Sequence, residues 1–184
     1  MQLLQDVNGR DNGTKKVYAF SFALMFIFKL EMSEIYEHHF VVGKESIDVF
    51  RHVNNREYLR WMEDAASAHA AELGWDARTL LKRQQVWVAK QHWIEYLRPT
   101  YEGDELTIYS WVDSWHASRS LRRYAIKRGD TLVCIGATTW VFIDFKTGMP
   151  IEVPEEIKSC FRIIDPESEK LKELGIQRPI RYRP

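Results

Sequence analysis

One change of hydrophobic period constrains this chain more than any other feature. Between residues 54 and 73 apolar side chains recur at helical spacing, and between 86 and 144 they alternate with a period of two. Tyr58, Met62, Ala65, Ala66, His69 and Leu73 form the helical stripe. Asn54 can cap this helix, with Glu57 in the capping-box position three residues on, and Gly74 ends it. Alanines at 65, 66, 68, 70 and 71 leave the helix thin, so other backbone can approach closely, as when a curved sheet wraps around it. The period-two stretch predicts strands over 86–98, 105–116, 118–128 and 131–144. Pro99, Gly103 and Asp104 separate the first two, and Arg128-Gly129-Asp130 joins the last two as a hairpin. A strand-like segment over 36–46 precedes the helix, a polar connection over 76–85 follows it, and Pro154 opens a short helix. The order describes an α+β fold.

Strands of this length exceed what one helix can cover on both faces. The segment 132–142 is apolar on both, and a second subunit is the economical cover. Residues 165–184, charged and carrying three prolines, read as a loosely held tail.

With seven Trp, eight Tyr and nine Phe in 184 residues, the chain can bury a real core without disulfides. The 26 basic and 26 acidic residues show no excess of the kind a nucleic-acid binder carries. Cys134 and Cys160 lie far from any CxxC spacing, which disfavours a zinc finger or disulfide framework and suits a reducing, cytoplasmic compartment. Residues 17–30 form an apolar run behind Lys15 and Lys16, shorter than the roughly 20 residues that span a bilayer. Three readings stand: residues 1–31 are an extension upstream of a natural start at Met32, a signal or membrane-associating leader, or a folded element. The expected organisation is 1–31 leader, 32–164 globular domain, 165–184 tail.

No phosphate-loop, GxGxxG, GxSxG or HExxH pattern occurs. His38 and His39 face opposite sides of a strand, a poor metal geometry, and neither a metal nor an organic cofactor is expected. His69 and Cys134 read as core residues. The concentrated polar cluster is Asp48, Arg51, His52, Asn54, Asn55 and Glu63. Asp48 lies just before the helix, where free N–H groups and the positive end of the dipole gather. That arrangement suits acyl transfer, with N–H groups polarising a carbonyl while a carboxylate attacks or activates water. Asp48 can equally be a turn residue. Glu63 falls on the margin of the apolar stripe, and Arg60 can pair with it or with Asp64.

The run Asp48-Val49-Phe50-Arg51-His52-Val53-Asn54-Asn55-Arg56-Glu57-Tyr58 resembles the DxxGHVNNxxY signature of hotdog-fold acyl-CoA thioesterases of the 4-hydroxybenzoyl-CoA thioesterase type. The likeness continues through Glu63-Asp64-Ala65-Ala66, Tyr96-Leu97-Arg98-Pro99, Gly103-Asp104-Glu105-Leu106, 139–144 and 147–150. It implies a hotdog fold: a long central helix wrapped by an antiparallel sheet, assembled as a homodimer or homotetramer. It implies hydrolysis of an acyl-CoA or acyl-carrier-protein thioester, with Asp48 as general base or nucleophile, His52 and Asn54 shaping its loop, and amides near Val53 and Asn55 as oxyanion donors. Glu63 matches the acid of a related branch. Arg51, Tyr58, Arg119 and Arg122 are the expected substrate contacts, the arginines for phosphate. Arg51 stands where the family usually has glycine; it is strained there, or lowers the Asp48 pKa, or meets a substrate anion. The Trp87/Trp93 and Trp111/Trp115 pairs line an acyl channel or pack the core. A non-catalytic acyl-CoA-binding module is the competing expectation.

Overall fold

The helix forms where its caps and stripe place it. In the computed structural model, which describes residues 34–179, helix α1 runs Asn55–Glu72. The apolar run 17–30 and residues 180–184 lie outside the described residues. Asn54 Oδ1 accepts the Arg56 N–H at 3.1 Å, satisfying one of the open donors of the first turn. Glu57 does not close the expected capping box; its carboxylate is bound by Arg60 at 2.9 Å instead. At the other end Gly74 takes φ +86°, and the Trp75 N–H reaches Ala70 O at 2.8 Å, a Schellman closure that needs a residue without Cβ strain.

Strands β1 (Tyr36–Val41), β2 (Gln85–Tyr96), β3 (Glu105–His116), β4 (Arg119–Arg128) and β5 (Thr131–Asp144) form one antiparallel sheet in the order β1-β3-β4-β5-β2. Irregularities at Ala89/Gln91 and Val112/Ser114 interrupt the ladders, as β-bulges do where a sheet bends. Tyr58, Trp61, Met62, Ala65 and Ala66 of α1 pack on Ile108, Tyr124, Ile126 and Cys134. The approach is close enough that a Cβ on Gly136 would lie 2.6 Å from Met62 Sδ. A long helix on a five-stranded antiparallel sheet is the hotdog fold. Between them runs a short helix, α2 (Ala77–Lys82), where a polar connection is expected; Asp76 caps it and Leu80 is its buried anchor.

The second face of the sheet is covered by the chain's own C-terminal segment, which corrects the expectation of a loose tail. Ile164, Leu171 and Ile176 pack on Tyr109, Trp111, Ala125 and Ile135. Helix α4 (Glu169–Glu173) carries Leu171 into this cluster, while α3 (Glu155–Lys158) carries Ile157 against Phe142 on the α1 side. Lys127 Nζ donates to Leu174 O at 2.8 Å, Arg123 donates to Arg178 O, and Arg178 pairs with Glu95 at 2.9 Å. Over this part of the sheet no second subunit is required.

Candidate active site

Asp48 sits in a tight turn closed by an isolated bridge between Ile47 and Val53. Its N–H donates to His52 O at 2.9 Å, and the Arg51 N–H donates to Asp48 O at 3.0 Å. The Phe50 N–H donates to Asp48 Oδ1 at 2.8 Å. Arg51 completes the turn at φ 65°, in the left-handed region that costs a side-chain-bearing residue about 1–2 kcal/mol. Val49 and Phe50 are 90% and 76% exposed, so the turn presents two apolar side chains to the outside. Asp48 Oδ2 lies 3.5 Å from His52 Nδ1, which is 3.3 Å from Val53 O. Asp48 is therefore both a turn former, through Oδ1, and the bearer of a second oxygen that faces the half-buried His52 ring.

The amides at the start of α1 are not equivalent. The Val53 N–H is engaged by Thr100 O at 2.8 Å, and the Asn54 N–H by Ser46 O at 2.9 Å. Val53 is thus removed from the expected oxyanion donors. The N–H of Asn55 has no acceptor among the described residues, and it lies in the first turn, where the helix dipole favours negative charge. The Asn55 carbonyl accepts from Tyr96 Oη at 3.1 Å.

Glu63 stands apart from this cluster, about 12 Å of helix beyond Asn55. Arg60 binds Glu57 and Asp64 rather than Glu63, whose Oε1 faces His92 Nε2 at 3.6 Å. His92 in turn lies 2.9 Å from Thr138 Oγ1, its register partner across β2 and β5. Nothing local in the sequence marks His92, one strand histidine, as facing a carboxylate on a helix.

The expected substrate contacts divide sharply. Tyr58 is 3% exposed and bonds Thr100 Oγ1 at 2.6 Å, so it is a core residue, its hydroxyl pKa raised by burial. Arg122 is 5% exposed and cannot meet a phosphate on the surface. Its neighbours on β4 are also structural: Arg123 and Lys127 hold the C-terminal segment, and Arg128 pairs with Asp104 at 2.6 Å. Arg51 and Arg119 are exposed. The core histidine is indeed bonded: burial and the Arg122 charge push the His69 pKa down to about 3. Cys134 is fully buried with its thiol pKa pushed up, which suits no nucleophile.

An apolar pocket of about 210 Å³ lies between α1, α2 and the sheet. The small side chains of Ala66 and Ala70 leave room for it, and Trp75, Trp87, Trp115 and Trp140 wall it. The sequence pairs of tryptophans therefore split: Trp87 and Trp115 border the pocket, whereas Trp93 and Trp111 pack under the C-terminal segment. Among the described residues no group of three or more His, Cys, Asp or Glu gathers as a metal site, and no helix is long and apolar enough to cross a membrane.

Helix, sheet and pre-helix turn together define a hotdog protein of the thioesterase kind. Residues 42–161 match the model of the thioesterase-like superfamily, and the chain belongs to that superfamily. Its fold is similar to that of a candidate oleoyl thioesterase from Lactobacillus plantarum (TM-score 0.68, 14% identity), aligning 72% of this chain with 53% of that one, about half its length. It is also similar to the probable thioesterase YbaW from Escherichia coli (TM-score 0.59, 24% identity; 68% and 95% covered). A third likeness is to SAV2348 from Staphylococcus aureus, solved in complex with CoA (TM-score 0.66, 16% identity; 83% and 90% covered). No curated protein matches the chain in sequence.

Proposed function

We propose that the protein hydrolyses an acyl-CoA, or the equivalent acyl-carrier-protein thioester, with Asp48 as the acting carboxylate and the Asn55 N–H as the oxyanion donor. Membership of the thioesterase-like superfamily supports thioester hydrolysis in general. The observation that carries the finer reading is the asymmetry of Asp48. One oxygen is anchored by the Phe50 N–H and the other faces His52 at 3.5 Å, a few residues before a helix-start amide with no acceptor among the described residues.

Acting as general base, Asp48 takes a proton from water as the water oxygen bonds to the thioester carbon. The carbonyl oxygen becomes an oxyanion facing the Asn55 N–H. Collapse of this intermediate breaks the C–S bond, and the proton held by Asp48 passes to the departing thiolate, giving free acid and thiol. CoA is the favoured carrier because the similar S. aureus protein was solved with it. Of the arginines expected at its phosphates, Arg51 and Arg119 are the two that are exposed.

A homodimer belongs to the same reading. Among the described residues strands β1 and β2 each pair on one side only, and Val88, Ala89 and Lys90 on β2 are exposed. A second copy pairing along β2 would satisfy that edge and cover the apolar tip at Val49 and Phe50. Release of thiol from a panel of acyl-CoAs, run for the native protein and Asp48→Asn, tests the assignment. Near-complete loss of hydrolysis at unchanged oligomeric state is expected. Equal rates would remove Asp48 from the chemistry, and binding of acyl-CoA without turnover in the native protein would make it a binding module.

A further inference from the structure

One charged residue, Arg122, stands among the largely apolar residues that line the 210 Å³ pocket. Cavities of about 150 Å³ already admit benzene, so the space suits one aromatic ring or a short acyl chain. Arg122 is 5% exposed, and its Nη1 donates to His69 Nδ1 and Ser110 Oγ, each at 3.0 Å. Neither partner is an anion. His69 is neutral, as its lowered pKa requires. No Asp or Glu pairs with Arg122 among the described residues, whereas the adjacent Arg123 has Asp113 at 3.6 Å. A buried charge without a counter-ion is costly, and the Phe161 ring 5.4 Å from the guanidinium is weak compensation. Arg122 Nε and Nη2 have no protein acceptor among the described residues. Trp115, on the same pocket wall, has a buried indole N–H that also lacks an acceptor.

The pocket thus offers unspent donors and a fixed positive charge inside an aromatic wall, and lacks the anion. We propose that it receives the acyl part of the substrate and that Arg122 selects acyl groups carrying a carboxylate at the end remote from the thioester. A guanidinium fork matches a carboxylate in two parallel hydrogen bonds, and aromatic walls hold the connecting ring or short chain. The inference rests on the thioesterase reading. Within one chain, α1 separates the Asn55 N–H from the pocket residues Ala66 and Ala70 by roughly 16–22 Å. A short acyl group bound here is therefore served by the Asp48 turn of a second copy.

Matched thioesters test this: succinyl-CoA against butyryl-CoA, and terephthaloyl-CoA against benzoyl-CoA. Direct binding of benzoate and benzamide, read by quenching of the pocket tryptophans, runs beside them. The native protein should prefer the carboxylate-bearing member of each pair by about ten-fold or more in kcat/KM. It should likewise bind benzoate more tightly than benzamide. Arg122→Met should lose both preferences. Equal rates and equal binding in the native protein would overturn the inference and leave the thioesterase reading intact. Arg122-dependent binding of benzoate without hydrolysis of any thioester would do the reverse. Because the native comparisons need no variant, a poorly folding Arg122→Met would not shield the proposal.

Discussion

The Phe50 N–H holds Asp48 Oδ1 at 2.8 Å, so the carboxylate is oriented by its own turn before any substrate arrives. Asparagine keeps that acceptor and loses the charge; alanine loses both. Asp48→Asn should therefore retain the native Tm within a degree or two and lower kcat by about 10²–10⁴. Asp48→Ala should add a loss of about 1 kcal/mol in stability. Glu63→Gln should reduce kcat by less than about ten-fold, since Glu63 lies far along the helix from the Asn55 donor. If steady-state kinetics rank the two acids in the opposite order, the carboxylate facing His92 is the one that acts.

Arg51 is the residue where family pattern and backbone disagree, and its φ of 65° shows that the turn keeps the shape glycine would take. Arg51→Gly should relieve the strain, against the extra unfolded-state entropy of glycine, for a net gain of about 0.5–1 kcal/mol. If the arginine meets a CoA phosphate, the same variant should raise KM several-fold with kcat unchanged, more so at low ionic strength. Thermal melts and KM at two salt concentrations separate the two effects.

His69 makes stability depend on pH in a definite direction. Its folded pKa of about 3 lies below the ordinary histidine value of 6.5, so the unfolded chain binds a proton that the folded chain refuses. The associated stability is fully present above pH 6.5 and is lost as pH falls toward 3, by as much as about 4–5 kcal/mol. His69→Gln, which can still accept from Arg122, should melt with a flatter dependence between pH 7 and 4. Parallel melting curves for the two proteins across that range would contradict the assignment.

The C-terminal segment should prove part of the core. Leu171 is 2% exposed and Ile176 1% exposed, each seated on the second face of the sheet. Leu171→Ala should cost about 2–5 kcal/mol in denaturant titration and expose Trp111, seen as increased binding of a hydrophobic dye. A loss below about 0.5 kcal/mol would mean that this cover is dispensable.

Elements with a sustained period were legible in the sequence, and those with a single anchor were not. Helix α1 and strands β2 to β5 repeat their apolar spacing over many residues, and their observed bounds fall within a few residues of the expected ones. Helices α2 and α4 bury only Leu80 and Leu171, too little for a pattern. Arg122 reads in the sequence as a phosphate contact because charge carries no facing information; it and Arg123 point to opposite sides of the strand, and each side is covered. Val53 failed as an oxyanion donor for a similar reason. Its amide is taken by Thr100, a contact set by tertiary packing that the local signature does not encode.

The separation of the Asp48 turn from the Arg122 pocket along one α1 leads to a complementation experiment. If each site takes Asp48 from one copy and Arg122 from the other, Asp48→Asn and Arg122→Met chains complement each other in a mixed dimer. One site of that dimer has both native residues and the other has neither. Random reassociation of equal amounts should then restore about a quarter of the native sites, measured as preference-bearing hydrolysis of succinyl-CoA over butyryl-CoA. If both residues came from one chain, mixing would restore nothing, because every chain lacks one of them. Activity that stays at the sum of the separate variants after subunit exchange, with exchange verified by mass, would show that Asp48 and Arg122 do not meet in a site shared between copies.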